Sequence, residues 1–205
     1  MAMPAFETSI TLLVIVAVGA YLMGSVPFGI VVTRLFGLGD IRKIGSGNIG
    51  ATNVLRTGSK SAALATVLLD AGKGLLAVLL AARFIGPDAA QVAGLFAFLG
   101  HLLPIWLGFR GGKGVATLLG VLVGLAPLVG LIAFGAWLFT FFVYRISSLS
   151  AIVAAVLTPL VAYIVGFEEL TALILLTAVL LIWKHRGNIQ RLIDGTEPMT
   201  VWSKK

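Results

Sequence analysis

Cysteine is absent from this 205-residue sequence, histidine occurs only twice, and charged side chains are scarce. Without cysteine there is no disulfide, no thiolate nucleophile and no thiolate metal ligand. Two histidines leave too few of the usual ligands for zinc, so we expect no metal site. Charged residues make up 11% of the chain, against about 25% in an average soluble domain, which excludes a soluble globular fold.

The sequence consists instead of long apolar runs separated by short polar loops. Hydrophobic residues make up 59% of the chain, and a transmembrane helix needs about 20 consecutive apolar residues. We therefore predict an all-α integral membrane protein, a compact bundle of about seven transmembrane helices that forms a single domain over residues 1–205. The predicted spans are residues 9–36 with a bend at Gly24 and Pro27, 61–84, 90–107, two short helices within 115–144 joined at 124–127, 149–165 and 170–183. A count of five or six stays open if the short spans do not cross.

The basic residues indicate how these helices cross the membrane. The formal net charge is +7, and nearly all Lys and Arg residues lie in loops that this arrangement places on one side, the exceptions being Lys73 and Arg83. By the positive-inside rule that side is the cytoplasm, so the N-terminus lies outside and the C-terminus is cytoplasmic. The first run is kept as a span because it lacks a preceding basic segment and is too long for a cleaved signal peptide. We expect no nucleic-acid partner.

The loop after the first span combines glycines with hydroxyl and amide side chains. Glycine permits positive φ and a close approach to the backbone, so successive N–H groups can form a concave anion site. A guanidinium beside it would suit phosphate. An ordinary basic loop lying on acidic lipid headgroups would explain the charge but not the interleaved glycines, so we interpret the segment as a phosphate cradle. Its candidate residues are Gly45, Ser46, Gly47, Asn48, Gly50, Thr52, Asn53 and Arg56.

The same segment matches Gly-x-Gly-x-x-Gly, the fingerprint of dinucleotide-binding domains. That fingerprint requires a preceding strand and an acidic residue about 20 residues later. Here an apolar helix precedes the segment, and Asp70, which lies at the right offset, falls inside the next apolar run. We therefore predict no dinucleotide domain and no cofactor.

A second glycine-rich basic loop, Arg110 to Gly114, follows the third span. It is not a Walker A loop, which would need glycine at position 107 and serine or threonine at 114. Lys113 would still lie at the start of a helix, where free N–H groups attract anions, although a lysine that snorkels to the membrane surface is the alternative. The candidate residues here are Gly111, Gly112, Lys113 and Gly114.

A third polar segment follows the last span and contains His185 and Asn188. If the helix continues, these two residues share a face and could meet one substrate hydroxyl. We interpret the other histidine, His101, as holding helices together. Asp70 and Lys73 lie on one face inside a span and form either a functional site or a neutralising ion pair.

Together, these segments resemble the three signature motifs of the bacterial acyl-phosphate:glycerol-3-phosphate acyltransferases, the PlsY family. The resemblance spans nearly the whole chain, and its first motif is very specific. The motifs are Gly45-Ser46-Gly47-Asn48-Ile49-Gly50-Ala51-Thr52-Asn53; Gly100-His101 with Pro104 and Gly111-Gly112-Lys113-Gly114-Val115-Ala116-Thr117; and His185-Arg186, Asn188-Ile189 and Leu192 with Gly195-Thr196-Glu197.

The resemblance implies a seven-helix enzyme of the bacterial inner membrane whose active site faces the cytoplasm. It would transfer a fatty acyl group from acyl phosphate to the 1-hydroxyl of sn-glycerol 3-phosphate, giving lysophosphatidic acid and phosphate in the first acylation of phospholipid synthesis. Its partners would be these two substrates and membrane lipids, and it would function as a monomer. The chain also lacks the His-x4-Asp pair of other glycerolipid acyltransferases, since Trp106 and Gln190 stand five residues after its histidines.

We hypothesise a role for each candidate residue. Ser46, Asn48, Thr52 and Asn53, with the loop N–H groups, would hold the acyl phosphate and stabilise charge as phosphate leaves. Arg56 and Lys113 would bind the phosphate of glycerol 3-phosphate. His185 and Asn188 would orient its hydroxyls, and either His185 or the substrate phosphate would take the proton. Ser148 and Ser150 are additional contacts, and the predicted catalytic residues are Ser46, Arg56, Lys113, His185 and Asn188.

Two other classes of protein stay open. A transporter for a phosphorylated metabolite would also use basic loops, but transporter sites lie near the membrane midplane, where only Asp70 and Lys73 are charged. A lipid-binding or scaffold protein without catalytic activity would not need such a density of hydroxyl and amide groups. We therefore favour the enzyme.

Overall fold

The structure, a computed structural model, describes residues 7–200. Within these residues every regular element is a helix. The α-helices are α1 (Ile10–Gly24), α2 (Phe28–Leu35), α3 (Ala51–Leu55), α4 (Lys60–Phe84), α5 (Pro87–Leu102), α6 (Val115–Leu125), α7 (Pro127–Tyr144), α8 (Ser147–Ile164), α9 (Thr171–Lys184) and α10 (Arg186–Ile193). Short 3₁₀ helices occupy Ile41–Lys43, Ile105–Leu107 and Glu168–Leu170. The described residues divide into two compact units, one containing α1–α6 and the other α7–α10.

Local sequence signals set the ends of the helices in the first unit. Ser9 caps α1, and its Oγ accepts a hydrogen bond from the Leu12 N–H at 3.4 Å. Helix α1 ends at Gly24 and α2 begins after Pro27, so the predicted bend coincides with a break in the helix. Pro87 opens α5, where its missing N–H removes no helical hydrogen bond.

Small residues let the helices of the first unit pack closely. A Cβ atom on Gly24 or Gly100 would collide with the backbone of the facing helix at the crossing of α1 and α5. Gly74 and Gly120 play the same part where α4 crosses α6. Buried alanines line these crossings, as expected for helices that associate by close van der Waals contact. This packing holds α1 against α5 and α4 against α6 within the unit.

In the second unit α7 packs against α8, and α8 packs against α9. Helix α7 ends at Tyr144, and the next residue, Arg145, has a φ of 58° in the left-handed region and turns the chain towards α8. At His185 the chain turns by 60° between the segment Glu168–Lys184 and helix α10. The condition for a shared face of His185 and Asn188, one straight helix that continues past His185, is therefore not met. The sequence changes there from apolar to polar, and the helix direction changes with it.

Five helical segments among the described residues are long and apolar enough to cross a membrane: Ile10–Leu35, Lys60–Phe84, Pro87–Leu107, Pro127–Tyr144 and Ser147–Ile164. The count is six if the bent pair Glu168–Lys184 and Arg186–Ile193 is one span. Helix α6, the fourth predicted span, has only 11 residues and is about 16 Å long. The all-helical membrane fold is confirmed, whereas seven crossings and the orientation of the termini stay predictions.

Candidate active site

The first loop, residues 45–56, is organised around the buried side chain of Asn53. Asn53 Nδ2 donates to the Ile41 carbonyl at 2.8 Å. Its Oδ1 accepts from the Ser46 N–H and from Arg56 Nη1, both at 3.3 Å. One amide side chain therefore connects both ends of the loop to the 3₁₀ helix that precedes it.

Glycine is required at the turns of this loop. Gly45 and Gly47 have φ values of 54° and 68°, a region that glycine adopts without strain. A Cβ atom on Gly45 would also lie within 2.7 Å of both the Asn53 and Arg56 side chains. The resulting loop leaves Ser46 and Arg56 exposed, while Asn48 and Thr52 are half-buried. Ser46 and Arg56 thus lie where an anion could reach them, and direct substrate contact by the interior Asn53 stays a prediction.

The second loop, residues 110–114, is packed directly onto the end of α5. The Gly112 N–H donates to the His101 carbonyl at 3.1 Å. A Cβ atom on Gly111 would collide with that carbonyl, and one on Gly112 would collide with Nε2 of the His101 ring. Gly114 has a φ of 82° and directly precedes α6. These glycines therefore permit close packing, and they place the half-buried Lys113 next to the N-terminus of α6.

Beneath this loop lies a buried group of charged side chains, which we call the Asp70 network: Asp70, Lys73 and His101. Asp70 Oδ1 lies 2.8 Å from Lys73 Nζ and 3.4 Å from His101 Nδ1, and each of the three side chains is at most 4% exposed. Lys73 Nζ also donates to the Val26 carbonyl, at the break between α1 and α2, at 2.8 Å. Asp70 and Lys73 form the ion pair that was one of the two possibilities for these residues, and His101 does connect helices as we expected.

The second unit holds a separate C-terminal cluster made of Ser148, Asn188, Arg191 and Glu197. The Glu197 carboxylate accepts from Ser148 Oγ at 2.6 Å, from Asn188 Nδ2 at 2.5 Å and from Arg191 Nε at 2.7 Å. Two predicted site residues, Ser148 and Asn188, thus share one carboxylate oxygen. Burial raises the pKa of Glu197, but the hydrogen bonds from Ser148, Asn188 and Arg191 outweigh it, so that the pKa lies below its usual value.

His185 and Ser150 differ in what their side chains can do. His185 is buried, and its Nδ1 lies 2.8 Å from the Leu181 carbonyl. Because a carbonyl can only accept, this contact favours a proton on Nδ1 and leaves Nε2 as the basic nitrogen of the neutral ring. Ser150 is fully buried and donates to the Ile146 carbonyl one turn earlier at 2.9 Å. Its hydroxyl is not presented to a substrate, and we leave Ser150 out of the proposal below.

Glu197 is the residue whose role the sequence did not indicate, although it belongs to the third motif. A turn at Gly195, with φ of 67°, brings the chain back so that the Thr196 and Glu197 N–H groups donate to the Arg191 carbonyl. One feature of the sequence could have pointed to Glu197, since it is an acidic residue in a mostly basic segment. Its partner Ser148 lies 49 residues away in sequence, a contact that no local pattern predicts.

Comparisons with known proteins agree with this fold. Residues 14–195 match the family model described as glycerol-3-phosphate acyltransferase. Curated relatives of that name include one from Cereibacter sphaeroides, 58% identical over 96% of this chain and 93% of its own. Another, from Jannaschia sp., is 57% identical over 95% of this chain and 96% of its own. A third, from Agrobacterium fabrum, is 56% identical over 94% of each chain.

Two solved structures are also similar. Both are of PlsY (YgiH), an integral membrane glycerol 3-phosphate acyltransferase. Its glycerol 3-phosphate form is 38% identical with a TM-score of 0.86, covering 91% of this chain and 94% of that chain. Its lysophosphatidic acid form is 36% identical with a TM-score of 0.84, covering 93% and 96%.

The helical membrane fold and the whole-length matches define the class of this protein as an integral membrane acyltransferase. The chain belongs to the glycerol-3-phosphate acyltransferase family, the PlsY family.

Proposed function

We propose that the acyl donor is an acyl phosphate and that the acceptor is the 1-hydroxyl of sn-glycerol 3-phosphate. The hydroxyl oxygen attacks the acyl carbon, the bond from that carbon to the phosphate oxygen breaks, and phosphate leaves with the bonding electrons. The products are 1-acylglycerol 3-phosphate and inorganic phosphate. This reaction would be the first acylation step of bacterial phospholipid synthesis.

The geometry of the first loop is the observation that carries this proposal. Its glycine turns and the Asn53 framework leave Ser46 and Arg56 exposed near the two ends of the loop, and both residues donate to Asn53 Oδ1. The loop offers N–H groups and a guanidinium but contains no carboxylate. Such a loop suits a small, doubly charged phosphate that must accumulate negative charge as it leaves. An acyl phosphate is already activated, so binding and orientation supply much of the rate.

The residues take the following proposed roles. Ser46, Asn48 and Thr52, with the loop N–H groups, hold the acyl phosphate, and Asn53 keeps the loop in shape. Arg56 and Lys113 bind the phosphate of glycerol 3-phosphate, with Gly111, Gly112 and Gly114 holding the second loop at the start of α6. In the second unit, His185 and Asn188 orient the hydroxyls, and Ser148 and Glu197 fix Asn188. The proton passes to Nε2 of His185 or to the phosphate of the substrate.

We also propose that the chain works as one catalytic domain, residues 1–205, and as a monomer in the bacterial inner membrane. Its N-terminus would lie outside, and both loops would face the cytoplasm, where the charged substrates are dissolved. Because the chain has no cysteine, single cysteines introduced into the loops can be labelled with a membrane-impermeant maleimide. Labelling of residues 45–60 from the outer face of intact cells would contradict this orientation.

A comparison of donors tests the proposed reaction. Purified protein is given glycerol 3-phosphate with either a long-chain acyl phosphate or the matching acyl-CoA, and lysophosphatidic acid is measured by mass spectrometry. We expect product from acyl phosphate alone. Product from acyl-CoA at an equal rate would contradict the donor assignment. No product from either donor in a folded sample would favour transport, which uptake into liposomes would then measure.

A further inference from the structure

The Asp70 network joins three segments of the first unit that are far apart in sequence. Lys73 reaches the Val26 carbonyl at the break between α1 and α2, and Asp70 contacts both Lys73 and His101. His101 in turn contacts the second loop through its backbone carbonyl. The network therefore runs from the middle of α4 to the loop that carries Lys113.

Mutual neutralisation explains only part of this arrangement. A buried aspartate and lysine at i and i+3 would satisfy each other's charge without a third group. Here Oδ1 of Asp70 also faces Nδ1 of His101, and no charge requirement of the pair demands this. The additional contact restrains the ring whose opposite nitrogen, Nε2, lies against Gly112.

The second loop is packed closely against His101. Gly112 donates to the His101 carbonyl, and neither Gly111 nor Gly112 could carry a Cβ without meeting His101. Lys113 is the next residue in the chain, so the position of its backbone follows from the position of His101. A shift of the histidine would displace both Lys113 and the first N–H groups of α6.

We propose that Asp70, Lys73 and His101 are positioning residues that hold the second loop in the geometry that binds the phosphate of glycerol 3-phosphate. The proposal rests on the proposed function, since it assumes that Lys113 and the loop bind this phosphate. Because Lys113 is assigned to glycerol 3-phosphate and not to the acyl donor, displacement of the second loop would act mainly on the affinity for glycerol 3-phosphate. The affinity for the acyl donor would change little.

Two variants test the proposal without leaving a lone buried charge. The double variant D70N/K73M removes both charges at once, so that neutralisation is preserved while the contact with His101 is altered. The variant H101N keeps a donor near the position of Nδ1 but removes the ring atoms beneath Gly112. We expect each to raise the KM for glycerol 3-phosphate by about 10- to 100-fold, because a hydrogen bond to the charged phosphate would be weakened or lost. The KM for acyl phosphate should stay within about twofold, and the melting temperature should stay close to that of the wild type.

The matched control is D88N at the opposite end of α5. Asp88 is also a buried carboxylate, and it accepts hydrogen bonds from the Thr8 N–H and Thr8 Oγ1, both at 2.8 Å. Asp88 lies 13 residues before His101 in the same helix, a separation of about 20 Å. The D88N variant should therefore leave the KM values for both substrates unchanged.

Folded D70N/K73M and H101N with a wild-type KM for glycerol 3-phosphate would overturn the proposal, as would equal increases in both KM values. If neither variant folds, the network is purely structural and the proposal is also wrong. An inactive wild type, or a K113A variant with an unchanged KM for glycerol 3-phosphate, would instead contradict the proposed function.

Discussion

Replacing Glu197 with glutamine tests whether one carboxylate organises the C-terminal cluster. The carboxylate accepts three hydrogen bonds, two of them on Oε1, whereas a glutamine side chain has one acceptor oxygen and one donor group. If the amide oxygen faces Ser148 and Asn188, each of the two hydrogen bonds has a neutral instead of a charged acceptor. Each bond is then weaker by about 1 kcal/mol. The amide nitrogen then faces Arg191, which is 41% exposed and can turn to water, so this loss is about 1 kcal/mol at most.

The total loss of unfolding free energy is about 2–3 kcal/mol, which corresponds to a fall in melting temperature of roughly 4–12 °C for a chain of this size. The intrinsic tryptophan fluorescence of E197Q in detergent measures it. The control is E169Q, because Glu169 is an exposed glutamate of the same unit. We expect E169Q to melt with the wild type. Equal melting temperatures for E197Q and the wild type would show that the Glu197 carboxylate does not stabilise the C-terminal cluster.

The same variant has a predictable pH dependence. The folded-state pKa of Glu197 is lowered by its donors, against the effect of burial. A lowered folded pKa contributes stability that is complete above the unfolded value of about 4.5 and is lost as the pH falls through the folded pKa. The difference in melting temperature between wild type and E197Q should therefore be constant above this value and shrink below it.

Three further predictions concern the loops and the cluster. K113A should lower activity at least about 100-fold while the protein stays folded and inserted, because a ligand of the substrate phosphate is lost. Normal turnover by K113A would contradict phosphate binding by Lys113. G112A should be strongly impaired because its Cβ would collide with the His101 ring, whereas G72A, where nothing lies within 4 Å, should be active and about 0.5–1 kcal/mol more stable. S148A should raise the KM for glycerol 3-phosphate, because Asn188 is then held less firmly. S150A should be nearly wild type, because the Ser150 hydroxyl donates to the Ile146 carbonyl one turn earlier. A larger effect of S150A than of S148A in steady-state kinetics would contradict the proposed role of the C-terminal cluster.

Sequence patterns predicted the features that depend on neighbouring residues. Apolar runs predicted helices, and the break between α1 and α2 lies at the predicted Gly24 and Pro27. The end of α6 at Leu125 and the start of α7 at Pro127 fall within the predicted joint. The pairing of Asp70 with Lys73 follows from helical spacing alone.

Features that depend on long-range contacts could not be predicted in this way. Asn53 looked like a substrate ligand, because its amide could serve either the loop or a phosphate, and only the fold shows that it bonds to Ile41. The role of Glu197 depends on contact with a residue in another helix. The glycines of the second loop were assigned to anion binding, but packing against His101 imposes an equally strict requirement for them.

Acyl transfer from an activated acyl phosphate to glycerol 3-phosphate is the reaction that we propose for this protein. The most direct measurement is the release of inorganic phosphate from a long-chain acyl phosphate by the purified protein, followed in parallel with lysophosphatidic acid, with and without glycerol 3-phosphate. We expect one phosphate for each lysophosphatidic acid formed, and release only when glycerol 3-phosphate is present. Phosphate release that is independent of glycerol 3-phosphate and yields no lysophosphatidic acid would contradict the proposed reaction.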